Sequence, residues 1–389
     1  MKAFLLHIAL LLSFVGLPQD DISVVGSLPQ QVWETSGLIF YNGKLITHND
    51  SGNTAQLFEI DTTSLQITRT VTISNASNTD WEALTQDDEF IYIGDIGNNS
   101  GIRQDLNILK IAKSDYNASD VITAQRIDYL YEDQDEFTSQ QNSDWDAEAL
   151  FVSGDDLIIL TKQWQSQGTV AYRLPKLQGA FLAERLDSYQ VDGLVTGAEY
   201  DPMSGTLYLI GYSSFLAPFF VQVDGVSETT IFSGSTTKVN LSSGLAQTEA
   251  ITKIGNTFYV SSEEFNASSP PISSAARLFR FSLNDAMEEV PENPEEPEEP
   301  EEPNPELPEI NDQLILYRSF DSKILNYRLD SDAPIFGMGV FDSIGRLVLF
   351  VPLENIGDNS VDLAELPPAM YHLAFFYGDA IISKPFILN

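Results

Sequence analysis

The chain has no cysteine, so it can form neither a disulfide framework nor a thiolate centre. Histidine is nearly as scarce: His7, His48 and His372 lie far apart among 389 residues, which excludes a histidine-rich metal centre. Basic residues are also few, with 20 Lys and Arg against 57 Asp and Glu, a formal charge of −37. A field of that sign repels nucleic acid and anionic membrane surfaces and attracts cations. Beyond residue 15 no apolar run is long enough to cross a bilayer. There is no Gly-x-Ser-x-Gly nucleophile turn and no phosphate-binding glycine loop. What is present, 43% apolar residues, is enough for real cores.

Residues 1–19 are predicted to be a signal peptide. Lys2 gives a basic start, Ala3–Val15 is almost wholly apolar but short for a membrane span, and the small residue Gly16 follows. Glu288 to Glu309 is a glutamate–proline run that repels itself and cannot pack, so 287–312 is predicted to be an extended linker. Between leader and linker, 20–286 carry a repeated strand pair. Beyond the linker, 313–389 carry short strand-like runs at Gln313–Arg318, Ile324–Leu329, Phe336–Phe341, Leu347–Val351, Met370–Tyr377 and Ile381–Leu388, the pattern of a small C-terminal β-sandwich.

The repeat starts at Ser36, Glu82, Glu148, Thr196 and Glu249. Each copy opens with a short strand: Ser36-Gly37-Leu38, Glu82-Ala83-Leu84, Glu148-Ala149-Leu150, Thr196-Gly197-Ala198 and Glu249-Ala250-Ile251. A turn, a very apolar second strand, a polar loop and a third strand follow. Four copies add a fourth strand, near 65–73, 125–131, 185–191 and 229–240. The starts lie roughly 45–65 residues apart, the range of four-stranded propeller blades. The last copy lacks a fourth strand, and Ile22–Leu28 is a spare one. The expectation is an all-β chain with a five-bladed β-propeller closed by its N-terminal strand; six blades is the alternative.

In a propeller the first strand of each blade lines a central tunnel, so the five opening residues face the axis near one mouth. Glutamates aimed at one axis are costly to bury unpaired. Either they are partly neutral and wet, or a cation sits among them, calcium being suited to hydroxyl and carboxylate oxygens, or they bond to neighbouring backbone and staple the ring. Loops on the same face hold all four tryptophans beside Asp80, Asp144 and Asp146. Rings next to carboxylates suit a sugar or nucleotide site, or else blade-to-blade packing. The candidate ligand contacts are Trp33, Asp50, Trp81, Asp95, Trp145, Trp164 and Glu264; the candidate metal ligands are Ser36, Glu82, Glu148, Thr196 and Glu249. A carboxylate pair acting on a glycosidic bond is a further reading, with Asp50, Asp95, Glu199 and Glu264 as candidates whose separation decides it.

Two stretches resemble known families. Phe341-Asp342-Ser343-Ile344-Gly345-Arg346, Val361-Asp362-Leu363, Leu366-Pro367-Pro368-Ala369-Met370-Tyr371-His372-Leu373 and Lys384-Pro385-Phe386-Ile387 together resemble the C-terminal sorting domain of type IX secretion. That resemblance implies a protein secreted by, or displayed on, a Gram-negative bacterium, with the secretion machinery as a partner. Arg318-Ser319-Phe320 stands where that family has Pro-Asn-Pro. The five opening residues, with Ser36-Gly37-Leu38, Tyr41-Asn42-Gly43-Lys44-Leu45 and Leu57-Phe58-Glu59-Ile60, resemble the calcium-activated nucleotidases, or apyrases, over about residues 30–285. The resemblance implies calcium held in the tunnel by Ser36, Glu82, Glu148, Thr196 and Glu249. Asp50-Ser51-Gly52 lacks the basic phosphate contact of that family. The expected function is a calcium-stabilised extracellular propeller that binds a carbohydrate or similar ligand on its Trp/Asp-rich face. The alternatives are a calcium-dependent phosphohydrolase, with Arg103 and Lys162 as its basic groups, and a glycosidase.

Overall fold

The second strand of each repeat is apolar almost throughout because it lies inside a sheet that is covered on both faces, a pattern distinct from the alternation of a half-exposed strand. A computed structural model describes 22–283, except 215, 228, 242 and 269–270, and the C-terminal segments 314–317, 323–329, 335–342, 347–351, 359–364, 366–377 and 381–388. The expected leader at 1–19 and linker at 287–312 lie outside the described residues.

After β1 (Ser23–Ser27), the first radial sheet runs outward as β2 (Thr35–Tyr41), β3 (Lys44–Asn49), β4 (Gln56–Ile60) and β5 (Ile67–Ile73). The second has β6 (Trp81–Gln86), β7 (Phe90–Asp95) and β8 (Asn107–Ala112); a helix, α1 (Lys113–Ala118), and the short β9 (Val121–Ile122) precede its outer strand β10 (Gln125–Tyr131). The third is β11 (Ala147–Ser153), β12 (Asp156–Thr161), β13 (Thr169–Pro175) and β14 (Gly179–Tyr189). The fourth is β15 (Leu194–Asp201), β16 (Thr206–Tyr212), β17 (Pro218–Val223) and β18 (Thr236–Asn240). The last has β19 (Thr248–Ile254), β20 (Thr257–Ser262) and, after a hairpin of β21 (Phe265–Ser268) and β22 (Pro271–Ser274), β23 (Arg277–Ser282). β1 pairs antiparallel with β23 and supplies the outer strand, so the spare N-terminal segment sits on the final sheet.

The fold is a β-propeller: β2, β6, β11, β15 and β19 pack each against the next, and β19 returns to β2. Apolar layers fill the space between sheets. Between the first two, Ile39, Ile46 and Leu57 meet Trp81, Leu84 and Ile93, all buried; each such side chain contributes roughly 1.5–3 kcal/mol. Sequence reading missed α1 and the early start of β14. From Ile127↔Gly179 to Tyr131↔Ala183, β14 pairs in parallel with β10, joining the outer edges of the second and third sheets. β9 likewise pairs in parallel with β5. Both contacts cover strand edges that are otherwise open to pairing with other chains.

The C-terminal segment forms two further sheets from β24 (Leu314–Tyr317), β25 (Ile324–Leu329), β26 (Ile335–Asp342), β27 (Leu347–Val351), β28 (Ser360–Asp362), β29 (Ala369–Tyr377) and β30 (Ile381–Leu388). Their orders are β24-β25-β28 and β27-β26-β29-β30. They share a core of their own, with Leu325, Tyr327, Val340, Leu373 and Phe375 at its centre. Among the described residues no helix is long and apolar enough to cross a membrane.

Candidate cation site at the tunnel mouth

Each inner strand slips by a residue against its partner at its opening position. The register breaks between Thr35 and Leu38, Trp81 and Ala83, Ala147 and Ala149, Val195 and Gly197, and Thr248 and Ala250. The slipped residues are those at or beside Ser36, Glu82, Glu148, Thr196 and Glu249. A bulge turns its extra side chain out of the strand's alternation, so the repeat aims a polar group the same way in every sheet. The next residue is always Gly or Ala because the inner strands converge there. A Cβ on Gly37 would stand 2.4 Å from the Leu84 nitrogen, and one on Gly197 2.9 Å from the Ala250 Cα. Past these small residues the tunnel narrows to about 10 Å³, room for about one water. At the level of Glu82, Glu148 and Glu249 it widens into a cavity of about 160 Å³.

The opening residues differ in what they do. Ser36 Oγ donates to the Glu82 carbonyl (2.7 Å) and Thr196 Oγ1 to the Thr248 carbonyl (2.6 Å). These two hydroxyls bond to the backbone of the following sheet, as a staple would. Glu148 Oε1 accepts from the Lys162 ammonium at 2.5 Å, and Lys162 also reaches the Tyr212 hydroxyl at 3.1 Å. Burial, with Glu263 and Glu148 nearby, pushes the Glu249 carboxyl well above its ordinary range. Glu263, which accepts from Gln247 Nε2 at 2.6 Å, is raised to about 7 by burial and by Asp50.

Glu82 has different company. One oxygen each from Asp50, Asp80 and Glu82 falls within 4.8 Å of the others. Asn78, itself buried, brings the three together. Its Nδ2 donates to the carbonyls of Asn49 and Asp50, both at 2.8 Å, while its Oδ1 accepts from the Trp81 nitrogen. The end of β3 is thereby tied to the loop leading into β6. The loop after β7 folds over the same spot: Ile96 and Gly97 donate to the Asp80 carbonyl, and Arg103 Nη1 donates to the Gly97 carbonyl at 2.8 Å. A Cβ at Gly97 would lie 2.4 Å from Asp80 Oδ2 and 2.5 Å from Glu82 Oε1, so only glycine leaves these oxygens uncovered. Burial, reinforced by Asp50 and Asp146, pushes Asp80 up to about 7. Burial also takes Asp50 to about 6 and holds Glu82 well above its usual range, with Asp50 and Glu148 adding to the effect. Carboxylates this close, deprived of water, need protons or a cation.

Of the four tryptophans, Trp164 lines the cavity and donates its Nε1 proton to Asp146 Oδ2 at 2.8 Å. Trp81 is fully buried edge-on to His48, Trp145 packs on Tyr131, and Trp33 is 41% exposed. Asp95 is held in an ion pair by Arg103 at 2.9 Å. The Glu264 nitrogen donates to the Trp33 carbonyl, and Glu263 lines the cavity in place of Glu264. Glu199 lies three residues past Thr196 along β15, outside the cavity lining. Sequence reading passed over Asp80 and Glu263 as ligands, Lys162 as an internal counter-charge, and Tyr212. The adjacency of Asp80 to the Trp81-Glu82 opening was the available signal for the first of these.

No protein-family model matches the chain, and no curated protein matches it in sequence. Among solved structures, the chain is similar to Kuenenia stuttgartiensis hydrazine synthase at 10% identity and a TM-score of 0.34, covering 90% of this chain and 78% of that one. It is similar to the β-propeller domain of Myceliophteria thermophila Cps50 (Swd1) at 8% identity and a TM-score of 0.35, covering 67% and 100%. It is also similar to a chain of the mitotic checkpoint complex at 11% identity and a TM-score of 0.34, covering 73% and 99%.

Proposed function

We propose that the protein is an exported propeller that holds one divalent cation, calcium, on Asp50, Asp80 and Glu82 and receives a small extracellular ligand in the adjoining cavity. The observation that carries the reading is the convergence of those three carboxylates beneath Gly97, in a cradle that a Cβ would fill. The donor set is all oxygen and acidic, which suits a hard ion. Bound there, the ion would supply positive charge and open coordination positions to a ligand's oxygens. Trp164 and Tyr212 line the cavity with aromatic surface beside the Lys162 ammonium, and Gln247 and Asn99 offer amides, features that suit a sugar or similar polar molecule. A phosphate-ester substrate fits less well. Arg103 is engaged by Asp95 and Asp105, Lys162 is engaged by Glu148, and the other charged residues lining the cavity are carboxylates.

Melting the protein with excess calcium and with chelator tests the reading. An ion held a hundredfold above its dissociation constant adds about 2.7 kcal/mol. Identical melting under both conditions overturns the calcium site. Quenching of tryptophan fluorescence by saccharides, abolished in Trp164→Ala, is expected of the ligand site. The export half of the proposal rests on the leader and the sorting-like C-terminal segment; deleting 313–389 should keep the protein from the cell surface, and unchanged display would refute it.

A further inference from the structure

We propose that Lys162 occupies the place of a second cation and restricts the tunnel mouth to a single divalent ion. The inference rests on the reading that Asp50, Asp80 and Glu82 hold the first. Lys162 follows directly on β12, yet its side chain turns into the cavity and is only 4% exposed. Lysine is rarely buried so completely unless it is paired. Its ammonium bonds to Glu148 Oε1 and the Tyr212 hydroxyl, and lies 4.4 Å above the Trp164 ring and 5.2 Å from that of Tyr212.

One positive charge there serves more than one carboxylate. Glu148 keeps its second oxygen, Oε2, buried and without a hydrogen-bond partner. Glu249, 7% exposed, and Glu263 line the same cavity. Glu148 comes from β11, Glu249 from β19 and Glu263 from the loop after β20, so three separate backbone segments bring carboxylates to the cavity that holds the ammonium, which itself bonds to the first of them. Both oxygens of Glu148, those of Glu249 and Glu263 and the Tyr212 hydroxyl are the ligand types a hard divalent ion takes. The ammonium neutralises part of this charge, fills the space such an ion would need and repels it. A neutral side chain at 162 removes all three obstacles.

Calcium stoichiometry, measured by titration calorimetry and by metal analysis after dialysis against calcium, tests the proposal on the full chain. The wild type and Lys162→Arg should bind one ion, and Lys162→Met and Lys162→Gln two. A wild type that binds none defeats the reading of the first site and this inference with it. A wild type that binds one, with both neutral variants also binding one, overturns the lysine's role alone, as does a wild type that binds two. Failure of both neutral variants to fold even in millimolar calcium also counts against the proposal, because a second ion should replace the lost charge.

Discussion

Around Glu148 the tunnel mouth carries its own counter-charge. Around Glu82, among the described residues, Asp50, Asp80 and Glu82 have no lysine or arginine in ion-pair contact. Both halves start from the same device, a glutamate on a bulge followed by alanine. They diverge in the loop after the second strand, which brings Lys162 to Glu148 in the third sheet and Gly97 over Glu82 in the second. The repeat therefore specifies where a charge is aimed, and the loop specifies what answers it. One half is completed from within; the other is left to protons or, on the proposed reading, to a cation from outside.

The largest effect should come from undoing the internal half. Lys162→Met in the presence of chelator leaves Glu148 buried without its cation, a loss of about 3–5 kcal/mol. Chemical denaturation should show that loss, and added calcium should recover most of it. Next is Asp80→Asn on the open half, for which calcium titration should show affinity reduced about tenfold or more, since one full ligand charge is gone. With chelator this variant should melt no lower than wild type, because removing a buried like charge relieves the other two. Asn78→Ala should follow, costing about 1–3 kcal/mol for the buried hydrogen bonds lost to the Asn49 and Asp50 carbonyls and from the Trp81 nitrogen and weakening calcium binding through Asp50. No such calcium effect is expected from an equally destabilising change in the C-terminal core.

The smallest effect is one of pH. Asp80 and Glu263 have folded-state values raised from 3.8 and 4.5 to about 7. Their contribution is full below the unfolded values and is lost as pH rises through the folded ones. The chelated protein should therefore melt progressively lower from about pH 4.5 to 7.5, each kcal/mol corresponding to roughly 2–4 °C. Saturating calcium should flatten that slope. An unchanged slope would mean that protons and calcium do not compete for the same oxygens.

Much of this was legible in the sequence because it repeats. The small residue after each opening position and the apolar second strand recur at blade spacing, and they report backbone crowding and two-sided burial. Glu82, Glu148 and Glu249 could be placed at the mouth on that basis. The partners could not, because they are set by single long-range bonds: Asn78 to the carbonyls of 49 and 50, and Arg103 to Asp95 and Gly97. Such ties have no periodicity. The tryptophans show the same limit. Trp81 and Trp164 both flank polar loops, yet one fills the layer between two sheets and the other lines the cavity. Glu263 and Glu264 are adjacent, and an extended chain turns neighbours to opposite sides.

Anomalous scattering from a terbium- or calcium-soaked crystal is the most direct test of the central claim. The account predicts one strong peak among the carboxylate oxygens of Asp50, Asp80 and Glu82, beside Gly97. A peak held instead by Glu148 and Glu249 with the Lys162 side chain displaced, or no peak in the tunnel at all, would contradict it.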